Sequence, residues 1–146
     1  MKPLLALLVA AFLTQPAFAE TPREKANIDT VRAFYEAGLN QKDFGAARRY
    51  MGDHYTQHNP NVPDGLDGFK AVVAYLRAQA PQSHSEIKAA FADGDRVILH
   101  VHAVPAPGDR GSAVIDIFRL DHGKIVEHWD VVQPIPAEAA NTNTMF

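Results

Sequence analysis

From Thr21 onward the apolar positions recur at helical spacing. Ile28, Val31, Phe34, Tyr35, Gly38 and Leu39 fall on one stripe, which predicts a first helix reaching about Leu39. Thr21-Pro22-Arg23-Glu24 marks its start as a capping box. Thr21 can accept from the Glu24 amide, Glu24 can reach back, and Pro22 sits where a missing N–H costs nothing. Asp43 can cap a short second helix through Tyr50, with Phe44, Ala47 and Tyr50 on one side. Residues 55–60 read as extended, because Pro60 pushes Asn59 away from helix. Residues 61–65 are turn-rich. Phe69, Val72, Val73, Leu76 and Ala80 then mark a third helix, stopped by Pro81.

Beyond Pro81 the period falls to two. Residues 86–92 alternate, with Ile87, Ala89 and Phe91 on one face, and Asp93-Gly94-Asp95 signals a hairpin into a strand over 96–104. A Pro- and Gly-bearing loop covers 105–111. Strands over 112–120 and 124–132 form a second hairpin around Asp121-His122-Gly123. Residues 137–146 have little pattern; they are either disordered or laid across the domain. Helices followed by antiparallel strands read as α+β, with the helices on the concave side of a curved sheet and a cavity at its open end.

The first nineteen residues stand apart. Lys2 supplies a short positive region, residues 4–13 are almost wholly apolar, and Ala17-Phe18-Ala19 places small residues one and three before a cut. This reads as a secretory signal at 1–19, cleaved after Ala19, rather than a spanning helix, for which the apolar run is too short. A domain over 20–136 and a tail over 137–146 follow, and the mature chain is expected in the periplasm or medium, off the membrane. The chain has no cysteine, which excludes a disulfide framework, a thiolate metal site and a Cys nucleophile. Its net charge of -3 without a basic run argues against nucleic acid as a partner.

The second hairpin carries the candidate chemistry. With Asp121-His122-Gly123 as a three-residue loop, Leu120 pairs with Lys124, Asp116 lies opposite His128, and Val114 lies opposite Asp130. Alternation then gathers Val114, Asp116, Phe118, Val126, His128 and Asp130 on one face, and Ile115, Ile117, Ile125, Trp129 and Val131 on the other. A two-residue turn would set Asp116 against Trp129 instead. Carboxylates and an imidazole in a partly apolar cavity suit proton transfer, for example beside a carbonyl. The competing reading is a solvated sheet face where Asp116 and Asp130 pair with Arg119 or Lys124.

His58 reads as an acid, base or donor at the pocket rim, or as a histidine tethering the next loop; His54 reads as surface. His100 and His102 share one strand face and, with His58 or an Asp, could ligate a divalent metal. The Glu expected soon afterwards in a cupin-type metal motif is replaced by Pro105-Ala106-Pro107-Gly108, so pocket-lining or packed histidines are preferred over a metal site. Tyr35, Phe118 and Trp129 are core by default and candidates for lining a ligand cavity. No Gly-rich phosphate loop, Gly-x-Ser-x-Gly elbow or zincin motif is present.

Tyr55-Thr56-Gln57-His58-Asn59-Pro60, Gly65 before the third helix, and the run from Asp116 through Gly123-Lys124-Ile125-Val126-Glu127-His128-Trp129-Asp130 together resemble the SnoaL-like branch of the nuclear transport factor 2-like superfamily. The similarity spans about residues 22–134. It implies a cystatin-like, cone-shaped barrel in which three helices pack on a strongly bent sheet around a pocket, often dimerising through the sheet's outer face. Characterised relatives include polyketide cyclases, which close rings by intramolecular aldol condensation, and also ketosteroid isomerases, epoxide hydrolases and dehydratases. The resemblance carries the cyclases' acid/base role to Asp130, a second polar pocket position to Asp116, and a pocket-wall position to His58. It implies no metal and no organic cofactor. The expected site is thus Asp130, Asp116 and His128 for catalysis. His58, Asn59, His100, His102, Phe118, Trp129 and Tyr35 are expected around a small apolar or carbonyl-containing ligand. A non-catalytic ligand-binding module of the same fold is the alternative.

Overall fold

A computed structural model describes residues 20–146. The proposed signal at 1–19 lies outside the described residues. Helix α1, Pro22–Tyr35, begins at the predicted capping box: Thr21 N donates to Glu24 Oε2 at 2.8 Å, and Glu24 N donates to Thr21 Oγ1 at 3.2 Å. Glu24 Oε1 also accepts the Gly94 N–H, and Asn27 donates to the Gly94 carbonyl. The cap therefore ties the helix to a distant hairpin turn. These amide donors, Thr21's before Gly94's, hold the Glu24 carboxyl below its ordinary range.

The helical stripe runs on past Tyr35, but the turn over Glu36–Asn40 widens to a π-helix. Gly38 belongs there for a packing reason. A Cβ on it would lie 2.8 Å from the Phe69 ring of α3. Helix α2, Phe44–Ala47, is capped by Asp43 as expected and runs into a 3₁₀ turn, Arg48–Tyr50. Strand β1, Met51–Gln57, starts four residues before the predicted extended segment, and α3 spans Gly65–Gln79. Asp64, just before α3, does not cap it through its side chain; its Oδ1 accepts the Gln57 N–H and binds the helix start to the end of β1.

The strands β2 (His84–Asp93), β3 (Arg96–Val104), β4 (Ser112–Asp121) and β5 (Lys124–Pro134) form the predicted hairpins, β3 with the predicted bounds and the others longer by one or two residues at an end. A bulge between Ile87 and Ala89 puts Ile87, Ala90 and Ala92 on the core side and turns Phe91, expected on the face of Ile87, outward. The sheet order is β1-β5-β4-β3-β2, antiparallel except that β1 lies parallel to β5. Val31, Phe34, Phe69, Leu99, Phe118, Leu120 and Ile125 are buried between helices and sheet. Each such side chain contributes roughly 1.5–3 kcal/mol on leaving water. No helix among the described residues is long and apolar enough to cross a membrane.

The β4–β5 register differs from both sequence alternatives. The turn is two residues, His122-Gly123, with φ of 47° and 74°, so Asp121 pairs with Lys124 and Leu120 with Ile125. Positive φ at both central positions is the type I′ geometry that follows strand twist. Val126 is then an extra residue, and pairing resumes as Arg119 with Glu127, Phe118 with His128, Ile117 with Trp129, and Asp116 with Asp130. Turn and bulge together move the register two residues from the three-residue-loop expectation. A shift of two preserves the faces, so the predicted inward set of Asp116, Phe118, His128 and Asp130 survives with different partners. Ile125, expected outward, joins the core, and Val126 packs against Gly52 of β1.

The tail crosses the outer sheet face. Phe146 lies with its ring centre 5.2 Å from that of His100 and 4.6 Å from that of His102, with Lys88 Nζ 5.5 Å from its centroid.

Candidate active site

A cavity of about 460 Å³ lies between the helices and the concave sheet face. This is within the ordinary range for small-ligand sites. One wall is apolar, with Phe34, Leu39, Phe69, Val72 and Leu76. The facing wall, from β1 and the residues just after it, β4 and β5, presents Gln57, Asn59, Asp116, His128 and Asp130. Among the described residues that line the cavity there is no Lys or Arg.

Asp116 and Asp130 face each other across β4 and β5, an arrangement that costs energy when both are charged and unscreened. Each is answered by different partners. Asp116, 4% exposed, accepts Tyr35 Oη on Oδ2 at 3.0 Å, and its Oδ1 lies 2.9 Å from His128 Nε2. Asp130 receives Asn59 Nδ2 at 2.9 and 2.7 Å from its two oxygens. Asn59 is itself oriented, because its Oδ1 accepts the Asn61 N–H at 2.8 Å. Burial first, and then the Asp116 carboxylate, push the Tyr35 hydroxyl well above its ordinary value, so it stays protonated and donates. Burial, with Asp116 again second, also raises Tyr55.

Asp116, His128 and Asp130 form the one group of three potential ligand atoms, all within 4.8 Å of one another, among the described residues. Each of the three has a hydrogen-bond partner within the protein. The expected catalytic trio therefore converges, and Tyr35, Asn59 and Phe118 line the same cavity.

Four expected ligand contacts lie elsewhere. His58 stacks on Trp129 with ring centres 4.6 Å apart and planes at 5°, and its Nε2 lies 2.9 Å from Glu127 Oε1. Both rings are on the outer face, since alternation that turns His128 and Asp130 inward turns Trp129 outward. His100 and His102 are outward for the same reason: Val97, Leu99 and Val101 take the buried side of β3. His102 Nε2 contacts the Arg110 carbonyl at 2.7 Å, and both imidazoles meet Phe146. Among the described residues, no group of three potential metal ligands includes His58, His100 or His102. Glu127, held below the usual carboxylate range first by His58 and then by Arg119, completes this outer cluster.

Gln57 is the cavity residue that sequence reasoning missed. The signal was available: in an extended Gln57-His58-Asn59, only one of the two sets can face inward, and an inward Asn59 requires an inward Gln57. Leu39, Val72 and Val132 line the same cavity.

Residues 31–128 match the sequence profile of the SnoaL-like domain family. No curated protein matches this chain by sequence. Among solved structures, TsrD from Streptomyces laurentii is similar at a TM-score of 0.63 and 21% identity, over 74% of this chain and 89% of that one. A putative polyketide cyclase from Bacillus cereus gives 0.63 and 22%, over 73% and 74%. A cystatin fold protein from Novosphingobium aromaticivorans gives 0.62 and 25%, over 72% and 97%. These likenesses establish the cystatin-like, nuclear transport factor 2-like α+β fold.

Proposed function

This chain belongs to the SnoaL-like domain family, and we propose that it is an exported enzyme performing cofactor-independent acid–base chemistry on a small, largely apolar carbonyl compound. The observation that carries this reading is the meeting of Asp116, His128 and Asp130 in a cavity whose facing wall is apolar and whose described lining holds no Lys or Arg. An uncharged ligand fits such a cavity better than an anion, which two carboxylates would repel.

Asp130 is the general base and acid. It takes the proton from the carbon beside the carbonyl and returns it at the end of the cycle. Asn59 orients its carboxylate, and the Asp116–His128 pair sets the field in which the negative charge develops on the carbonyl oxygen. The resulting enolate either attacks a second carbonyl, as in an aldol-type condensation, or is reprotonated elsewhere, as in an isomerisation. Hydration, with water as the nucleophile, is a third use of the same base.

The test is exchange of α-protons for deuterium in a panel of small apolar ketones, followed by NMR in D₂O. The purified chain should accelerate exchange of at least one compound, and Asp130→Asn should lower it by orders of magnitude while leaving the fold intact. A ligand that binds tightly but never exchanges or changes would support the non-catalytic binding module. Two copies are proposed to pair through the outer sheet face, where Phe91, Ile115 and Val131 are 60%, 40% and 70% exposed. Val131→Asp should then shift the chain to monomer in size-exclusion chromatography.

A further inference from the structure

Two amides, Gln57 at the end of β1 and Asn59 just beyond it, are oriented by the backbone, and one of them dictates the state of an imidazole. Gln57 is the register partner of His128 across the parallel β1–β5 pair. Its Oε1 accepts the Asn59 N–H at 2.8 Å, and its Nε2 lies 3.3 Å from Tyr55 Oη. Turning the amide over would set Nε2 against the Asn59 N–H, donor against donor. Oε1 is thereby the atom presented to His128 Nδ1, at 3.0 Å. A carboxamide oxygen has no proton to give, so this contact is a hydrogen bond only when Nδ1 carries the proton.

The other ring nitrogen, Nε2, faces Asp116 Oδ1 at 2.9 Å, and Asp116 Oδ2 is occupied by Tyr35. With Nδ1 filled, one proton remains to be placed between Nε2 and Oδ1. Releasing it would leave a nitrogen lone pair against a carboxylate oxygen in a buried site. A proton lying between Nε2 and Oδ1 is what makes this contact a hydrogen bond, and Asp130, held by Asn59, lies outside it. Other groups surround the ring. Phe118 of β4 lies 4.7 Å away and Tyr55 of β1 lies 6.5 Å away, stacked at 14°. The titratable neighbours are Tyr35 from α1, Tyr55 from β1, Asp116 from β4 and Asp130 from β5.

We propose that Gln57 is a positioning residue that locks a proton onto His128 Nδ1 and so confines the second proton to the contact between His128 Nε2 and Asp116. The lock's use in turnover rests on the acid–base reading above; its existence does not.

Long-range ¹H–¹⁵N correlation of the histidine rings tests it in the purified, ¹⁵N-labelled protein, with His128 assigned by loss of its signals in His128→Gln. Near neutral pH the wild type should show Nδ1 in the protonated range. Gln57→Leu removes the acceptor and should move Nδ1 to the bare-nitrogen range, with the proton on Nε2. Gln57→Glu keeps an acceptor oxygen and should retain the wild-type Nδ1 signature. A bare Nδ1 in the wild type, or an unchanged signature in Gln57→Leu, overturns the lock. Should Gln57→Leu fail to fold, a bare Nδ1 in Gln57→Glu overturns it equally. No substrate is needed for this readout. Proton exchange by a protein with bare Nδ1 would sink the lock and spare the function, and a protonated Nδ1 without turnover would do the reverse.

Discussion

Among the described residues, two histidine–carboxylate contacts of the same length lie on opposite faces of one sheet. His128 and Asp116 are 2.9 Å apart on the concave side, with side chains 10% and 6% exposed. His58 and Glu127 are also 2.9 Å apart, on the convex side, at 40% and 18%. Distance alone does not distinguish them; surroundings do. The inner pair is held by neutral groups, Tyr35 and Gln57, in a cavity without a lining cation. The outer pair shares its carboxylate with the Arg119 guanidinium and lies partly in water. The first arrangement is the one the proposed chemistry would draw on, and the second spends its charge on a screened surface contact.

The sharpest test of that contrast is turnover. Asp130→Asn, beside the inner pair, should lower catalysed α-proton exchange by about 10²- to 10⁴-fold, the usual worth of a positioned general base. His58→Ala, at the outer pair, should leave exchange within about twofold, since its ring does not reach the cavity. Equal losses in the two variants would erase the distinction.

Stability should separate the faces next. Asp116→Ala strands His128 and Tyr35 without their buried acceptor and should cost about 3–5 kcal/mol in denaturant unfolding, as breaking a buried pair does. Glu127→Ala should cost less than about 1 kcal/mol, and less again at high salt.

The smallest expected effect is in the acid limb. Glu127 is held below its ordinary range in the folded chain, so its contribution is present above the unfolded value and is lost as pH falls through the folded one. The stability–pH curve of Glu127→Gln should therefore be flatter below about pH 4.5 than that of the wild type. A parallel curve would mean that the outer carboxylate does not contribute through His58 and Arg119.

The fold was legible because each element announced itself locally. The Thr21–Glu24 cap, the Phe69–Leu76 stripe and the Asp93-Gly94-Asp95 turn each needed only neighbouring residues to be read. The inward set on β4 and β5 was legible through strict alternation. The pairing was not, because it depends on a turn length and a bulge whose effects partly cancel; two successive buried apolar residues, Ile125 and Val126, were the available hint. The histidines of β3 and His58 were assigned to the cavity by their chemistry, although the apolar Val97, Leu99 and Val101 between and before them already claimed its side of the strand. Gln57 escaped notice because an amide has no titration of its own. Its importance comes from which atom it shows to a neighbour, and that is settled only when Asn59 N–H is in place.

The extra residue at Val126 has a consequence for anyone who edits this hairpin. Removing one residue between Asp121 and Val126 would advance the rest of β5 by half a pleat. The indole would then swing toward the ligand chamber while the imidazole and the distal acid turned to solvent. Loop grafts or shuffled hairpins at this end of the sheet must conserve the odd-or-even count, however far from the reacting atoms the exchange is made.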